Sequence, residues 1–241
     1  MLFTDKFQVS YSIVNLASFK SIKDFTDDFL SKHSQLDILI NNAGVMQPPF
    51  DVTEDKFESH VGINYLGHFY LTHLLSELLV KCKSKVVVVA SEAHKEGNIS
   101  LTDLEGEMPL LFKPPAMRTF KLDFMRYGMS NRARIYFAKE LVVRHPQLTA
   151  MSLHPGVIRT SLNRNMGGCV KGMVFCMGCF FKSPEQGAAT TIHCATKDMS
   201  EHLGDYFIDS VPSVIKEGQI DPEVQVKLWD VTMDLIQKNG K

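Results

Sequence analysis

Apolar and polar positions follow two rhythms along the chain. Short β-rich stretches lie between longer stretches with helical spacing. Val9 to Val14 alternates residue by residue, as a strand does with one covered face. Phe19 to Leu30 carries apolar residues at 19, 22, 25, 29 and 30, the stripe of an amphipathic helix. Leu36 to Ile40 is a short apolar run ending in Asn-Asn-Ala-Gly, and Asp51 to Val80 predicts a helix with a break near Gly62. Val86 to Ala90 is almost pure valine, which suits a strand covered on both faces. Arg126–His145 predicts a helix, Leu148–Leu153 a strand, Pro184–Thr196 a helix, Tyr206–Ile208 a short strand and Asp221–Lys238 a last helix. Strands alternating with helices of this length predict βαβ units, an α/β fold and a parallel sheet with helices on both faces.

In such sheets the ligand lies beyond the carboxyl ends of the strands. Three strand ends therefore carry the candidate chemistry. Asn41-Asn42-Ala43-Gly44 follows Ile40; its small residues let a backbone pass close to a flat ligand, though alone it is only a turn. Ser91 follows Ala90 and offers a hydroxyl, which by itself is the usual residue of a strand-end cap. His154-Pro155-Gly156-Val157-Ile158-Arg159-Thr160 follows Leu153 as a rigid turn whose N–H groups could face a ligand.

Composition narrows the class. The 241 residues are 44 % apolar and 22 % charged, enough to bury a core, and are expected to form one domain across 1–241. With 26 basic and 27 acidic residues the net charge is −1, so no nucleic-acid partner is expected. No apolar run reaches the roughly 18 residues of a membrane span. Charges in Met1–Phe7 argue against a secretory signal, and five sparse cysteines suit a reducing compartment. The expected location is cytoplasmic, or peripheral to an intracellular membrane. Met166–Phe181, rich in Met, Cys, Gly and Phe but broken by Lys171, reads as a buried or substrate-lining helix. Cys176-Met177-Gly178-Cys179 has no second cysteine pair to complete a zinc site, and no metal is expected.

Asn41–Gly44, Asn64, Ser91, Tyr127 and Pro155–Thr160 resemble, in order and spacing, the short-chain dehydrogenase/reductases. Asn64-Tyr65-Leu66-Gly67-His68-Phe69, Ser91-Glu92-Ala93-His94 and Gln186-Gly187-Ala188-Ala189-Thr190-Thr191 resemble the retinol-dehydrogenase-like branch. The likeness implies a Rossmann-like, doubly wound sheet and hydride transfer between NAD or NADP and an alcohol or carbonyl. It implies Tyr127 as the acid/base, Ser91 on the substrate oxygen, and Asn64 supporting a helix and a proton-relay water. Asn41, Ala43 and Gly44 would then lie beside the cofactor. Pro155, Gly156, Val157 and Thr160 would bind the carboxamide end of its nicotinamide. Helices 51–80 and 126–145 would pair across a homodimer.

Three departures stand against that pattern. The family's opening Thr-Gly-x-x-x-Gly-x-Gly turn, which would hold a pyrophosphate at a helix N-terminus, occurs nowhere in the sequence. Val9–Val14 resembles the family's third strand, so the expected fold is a Rossmann-like sheet truncated at its N-terminus, with strands 1 and 2 missing. Strands 3 and 4 would then stand about 14 Å apart, given a spacing of about 4.8 Å. Either they re-pair or an apolar edge is exposed. The family's Tyr-x-x-x-Lys reads Tyr127-Gly128-Met129-Ser130-Asn131, so Asn131 can hydrogen-bond a ribose but brings no charge. A charge at about 4 Å is worth roughly 4 kcal/mol at an effective dielectric near 20. Arg134 lies on nearly the face of Tyr127 but about 10.5 Å further along the helix. Tyr136 and Lys139 lie on the opposite face and read as solvated. Asn15-Leu16 stands where the family has Asp-Leu at the adenine, a mild change.

Two functions are therefore expected. One is an NAD(P)-dependent oxidoreductase acting on a small hydrophobic alcohol or carbonyl, retinoid or lipid-like. The other is a shortened, catalytically impaired form acting as a non-enzymatic interaction or dimerisation partner.

Overall fold

The computed structural model describes residues 8–48, 52–106, 109–117, 119–158, 181–216 and 219–240. Met166–Phe180, the Cys-x-x-Cys pair and Thr160 lie outside these residues.

The first helix, α1 (Phe19–Lys32), starts where Ser18 accepts a hydrogen bond from Ser21 N. Strand β1 (Ile38–Asn41) follows, and then a broken helical stretch: α2 (Ser59–Val61), a π-helical turn (Gly62–Gly67), α3 (His68–Leu74) and α4 (Ser76–Cys82). The break predicted near Gly62 is this π-helical turn. Close packing accompanies it, because a Cβ on Gly62 would come within 2.5 Å of Thr53 and one on Gly67 within 2.5 Å of the Leu16 carbonyl. The helix predicted from Asp51 begins only at Ser59.

Strand β2 (Lys85–Val89) leads through 3₁₀ turns at Glu92–Glu96 and Leu101–Leu104 to the long helix α5 (Phe120–Arg144), capped by Thr119. Then come β3 (Thr149–His154), α6 (Pro184–Thr196), β4 (Tyr206–Ile208), β5 (Val211–Pro212) and α7 (Pro222–Asn239). Ser183 and Gln186 form a reciprocal capping box at α6, with Pro184 in its first turn, and Asp221 caps α7.

The sheet runs β1-β2-β3-β4-β5. The first four strands are parallel, as expected, and β5 adds a short antiparallel edge, so the sheet is mixed. The valine run is buried on both faces. Val86 and Val88 join Ala150 under α3, α5 and α7, where Trp229 packs on Phe69 and Phe137. Val87 and Val89 join Met151 and Leu153 beneath Cys194 and Ala195 of α6. This is the α/β Rossmann-like arrangement expected from the sequence.

Residues 8–14 correct one expectation. They form no strand; Val9, Tyr11 and Ile13 are about nine-tenths exposed. They do not re-pair with β1, whose Ile38 and Ile40 stay 39 % and 43 % exposed. A strand without a partner cannot bury its alternating face, so the pattern alone does not make one. Tyr136 corrects another: it is buried, and its hydroxyl accepts from Asp221 N at 3.1 Å, tying α5 to the start of α7.

Helix α5 meets the turn after β2 through two glycines. A Cβ on Gly97 would lie 1.9 Å from Met129 N, and one on Gly128 would lie 2.6 Å from Ala93 O. Backbone meets backbone here, so no rotamer change can relieve a methyl group. Gly97→Ala should destabilise the fold by about 1–3 kcal/mol or more, read as a lower urea midpoint. An unchanged midpoint would show that the two backbones are not in contact.

Candidate active site

Each predicted strand end lies on the same rim of the sheet. Ala43 and Gly44 are exposed beyond β1, Ser91 is half-buried beyond β2, and Pro155–Val157 follow β3 with Val157 57 % exposed. Helix α5 brings Tyr127, half-buried, to this rim. The Gly97–Gly128 contact seats the Ser91 turn directly against the helix at Tyr127. Ser91 Oγ accepts from Ala93 N at 3.2 Å, which leaves the hydroxyl proton free for another acceptor.

Asn64, inside the π-helical turn, is fully buried and does more than brace a helix. Its Oδ1 accepts from Val45 N at 2.7 Å, and its Nδ2 donates to Val45 O at 2.9 Å and Ser130 Oγ at 3.0 Å. One amide therefore fixes the β1 turn to α5, three residues from Tyr127. His60 reinforces the same turn. Its Nε2 accepts from Gln47 N at 3.1 Å, its Nδ1 donates to Glu58 Oε1 at 2.7 Å, and its ring lies edge-on to Tyr127 at 6.4 Å. The sequence gives His60 no motif; only the fold places it there.

Asn41 and Asn131 turn inward. Asn41 is 1 % exposed and donates through Nδ2 to Thr72 Oγ1 at 3.0 Å, so it holds β1 to α3 rather than facing the rim. Asn131 Nδ2 donates to the Tyr127 carbonyl at 2.8 Å, while its buried Oδ1 has no partner. Asn15 is exposed and closes the turn before α1: Ala17 N donates to its Oδ1, and its Nδ2 donates to Glu54. It lines a surface pocket of about 560 Å³ with residues of α1, and none of the rim residues lines that pocket. Gly156 takes a left-handed φ of +92°, and an added Cβ would strike the Lys182 side chain.

The residue the motifs do not mark is Arg134. Its guanidinium lies buried beneath the rim. Nη1 donates to Val89 O at 2.7 Å, Nη2 to Ala43 O and Nε to Asn64 O. The Ala43 carbonyl also accepts from His68 Nε2 at 2.8 Å. Burial first, and then the Arg134 charge, push His68 down to about 3, so its ring stays neutral. Burial likewise lowers His94 and His154 behind Ser91.

The His68 shift sets a pH dependence. The unfolded chain takes up this proton near 6.5, whereas the folded protein resists it to about 3. In that window the unfolded state binds more protons, so stability falls as pH falls, by about 1.4 kcal/mol per unit. His68→Gln should remove that part of the slope in urea titrations between about pH 6 and 4. A slope equal to the parent's would show that His68 is charged in the folded protein.

Comparison with known proteins agrees with this geometry. A family model described as short chain dehydrogenase matches residues 3–103. Retinol dehydrogenase 11 of Homo sapiens is 36 % identical over 233 residues, covering 95 % of this chain and 70 % of that protein. Retinol dehydrogenase 12 of Mus musculus is 36 % identical over 238 residues, covering 97 % and 71 %. Among solved structures, an uncharacterised protein of Mycobacterium paratuberculosis superposes with a TM-score of 0.67 at 28 % identity, over 93 % of this chain and 74 % of its own. A gluconate 5-dehydrogenase from Burkholderia cenocepacia, solved with NADP and tartrate, shares the fold at a TM-score of 0.56 and 16 % identity, over 80 % and 70 %. With its strand-end turn, serine and tyrosine on one rim and these relatives along nearly its whole length, the chain belongs to the short-chain dehydrogenase family, in the retinol-dehydrogenase-like branch.

Proposed function

We propose that this chain is an NAD(P)-dependent oxidoreductase that interconverts an alcohol and a carbonyl on a hydrophobic, retinoid-like substrate. The observation that carries the reading is the Gly97–Gly128 contact, which sets the Ser91 turn beside Tyr127 at the carboxyl ends of the strands. The retinol dehydrogenases that match along the chain support the substrate class.

The residues present fit the nicotinamide end of the cofactor. Ala43 and Gly44 leave an exposed, small-residue shelf beyond β1. Asn131 Oδ1, buried without a partner one turn from Tyr127, is the acceptor a ribose hydroxyl requires. Pro155–Val157 would border its carboxamide. No residue is assigned to the pyrophosphate, because the sequence contains no glycine turn of the required spacing. When bound, the nicotinamide supplies or accepts the hydride.

The protein's own part is proton handling and positioning. Ser91, with one lone pair engaged by Ala93 N, turns its proton to the substrate oxygen. Tyr127 gives or takes the proton on that oxygen as it becomes hydroxyl or carbonyl. Asn64 holds the β1 turn and α5 in register, so the shelf and Tyr127 keep a constant separation. Asn131 steadies the Tyr127 turn of the helix through the Tyr127 carbonyl.

Titration calorimetry with NADH and NADPH, followed by turnover of retinol and retinaldehyde, tests the reading. Nucleotide binding and retinoid turnover are the expected results. Tyr127→Phe should lower kcat by about 10²–10⁴-fold, and Asn131→Lys should raise it and move the pH optimum downward. A Tyr127→Phe variant as active as the parent would remove Tyr127 from the mechanism. A folded chain that binds neither nucleotide would remove the oxidoreductase reading.

A further inference from the structure

We propose that Phe120 and Phe124 form an aromatic track on α5, along which the extended hydrocarbon chain of the substrate lies with its hydroxyl or carbonyl at Tyr127. The inference rests on the oxidoreductase reading and deepens it, by naming residues that select an elongated apolar substrate.

The helix lays out the track. Positions 120, 124 and 127 are four and three residues apart, so their side chains share one face of α5. The Phe120 and Phe124 rings lie parallel within 4°, with centroids 6.3 Å apart. The Tyr127 ring follows at 6.5 Å, tilted by 38°. Beyond it stands His60, edge-on to Tyr127 at 6.4 Å, with its ring nitrogens committed to Glu58 and to Gln47 N. His60 is buried, so the row is closed at this end and open at Phe120.

Exposure follows the same direction. Tyr127 and Phe124 are half-buried, whereas Phe120 is 49 % exposed. Leu110, 53 % exposed, is held to the same helix by Arg126, which donates to its carbonyl at 2.9 Å. Apolar surface therefore gathers just ahead of Tyr127. A phenylalanine pair four residues apart adds little to a helix by itself. Contiguous apolar surface beside a site marks ligand contact, unlike exposed side chains scattered singly.

The row also defines its occupant. Residues 120 to 127 cover about 10.5 Å of helix axis, the reach of an extended chain of roughly eight bonds. Neither phenylalanine can form a side-chain hydrogen bond, so what they recognise is hydrocarbon. The first hydroxyl met along the row is that of Tyr127, where the proton is transferred.

Titration calorimetry of linear primary alcohols from butanol to decanol, without nucleotide, reads the track. Affinity of the parent should rise by about twofold to fourfold per added methylene. Phe120→Ser should flatten that rise for the longer alcohols, which alone reach residue 120, and Phe124→Ser should flatten it from shorter lengths. Phe120→Leu keeps an apolar surface and should keep most of the rise. A role confined to helix stability would lower the urea midpoint and leave the dependence on chain length unchanged. Phe120 lies outside the core in the first turn of α5, so Phe120→Ser folds even where Phe124→Ser does not. An unchanged dependence in Phe120→Ser overturns the proposal, and so does a parent whose affinity ignores chain length. Absent nucleotide binding in the parent defeats the enzyme reading, whereas an unchanged dependence with nucleotide binding intact defeats only this one.

Discussion

A parallel sheet ends in carbonyls that its neighbours do not fully satisfy, and the strand ends of this protein meet that constraint with the Arg134 guanidinium, joined at Ala43 by His68. Beyond β1 and β2 the chain turns away, leaving the acceptors of Ala43 and Val89 under the rim. A buried carbonyl without a donor costs free energy comparable to a lost hydrogen bond. Arg134 spans both and takes the Asn64 carbonyl as well. The β1 turn, the π-helical turn and the β2 end are thereby fixed relative to α5, the helix that carries Tyr127. The Asn64 amide closes the same frame from the other side, through Val45 and Ser130.

That frame depends on close packing of backbone against backbone. Helix α5 can approach the Ser91 turn only because Gly97 and Gly128 lack side chains. Gly67 likewise lets the Leu16 backbone lie across the π-helical turn. The valine run of β2 is then enclosed on both faces, by the aromatic cluster around Trp229 and by α6. The rim is thus the top of a rigid core, and its side chains have few alternative positions.

Much of this is legible in the sequence. Pro184–Thr196 and Tyr206–Ile208 have the predicted bounds because their cues are local: a capping box with proline in one case, a β-branched and aromatic run in the other. The valine run announces a strand buried on both faces. Residues 8–14 show where pattern fails, since an alternating segment becomes a strand only when another strand pairs with it. The start of the helical stretch at Ser59 rather than Asp51 has a similar cause: the Thr53 backbone N–H is taken by the Phe57 carbonyl in a local turn. In the site, the motif residues Ser91 and Tyr127 are visible because chemistry fixes their type. Asn41 is visible too, but its role is not, because the motif does not say that its amide faces Thr72. His60 and Arg134 need the fold: one reaches Tyr127 from another helix, and the other meets carbonyls of three separate segments.

Helix α5 carries Asn131 where the family pattern has a lysine. Such a lysine would bring hydrogen-bond donors and a charge to one point near the tyrosine. Asn131 retains only hydrogen bonding, and it spends its donor on the helix itself. Arg134 holds a charge that is permanent at neutral pH, but it sits deeper, with its donors committed to the scaffold. A lysine in the same buried position would lose its proton more readily under desolvation, whereas guanidinium keeps its charge. Burial of the cation therefore selects arginine, whose fork reaches the Ala43, Asn64 and Val89 carbonyls at once.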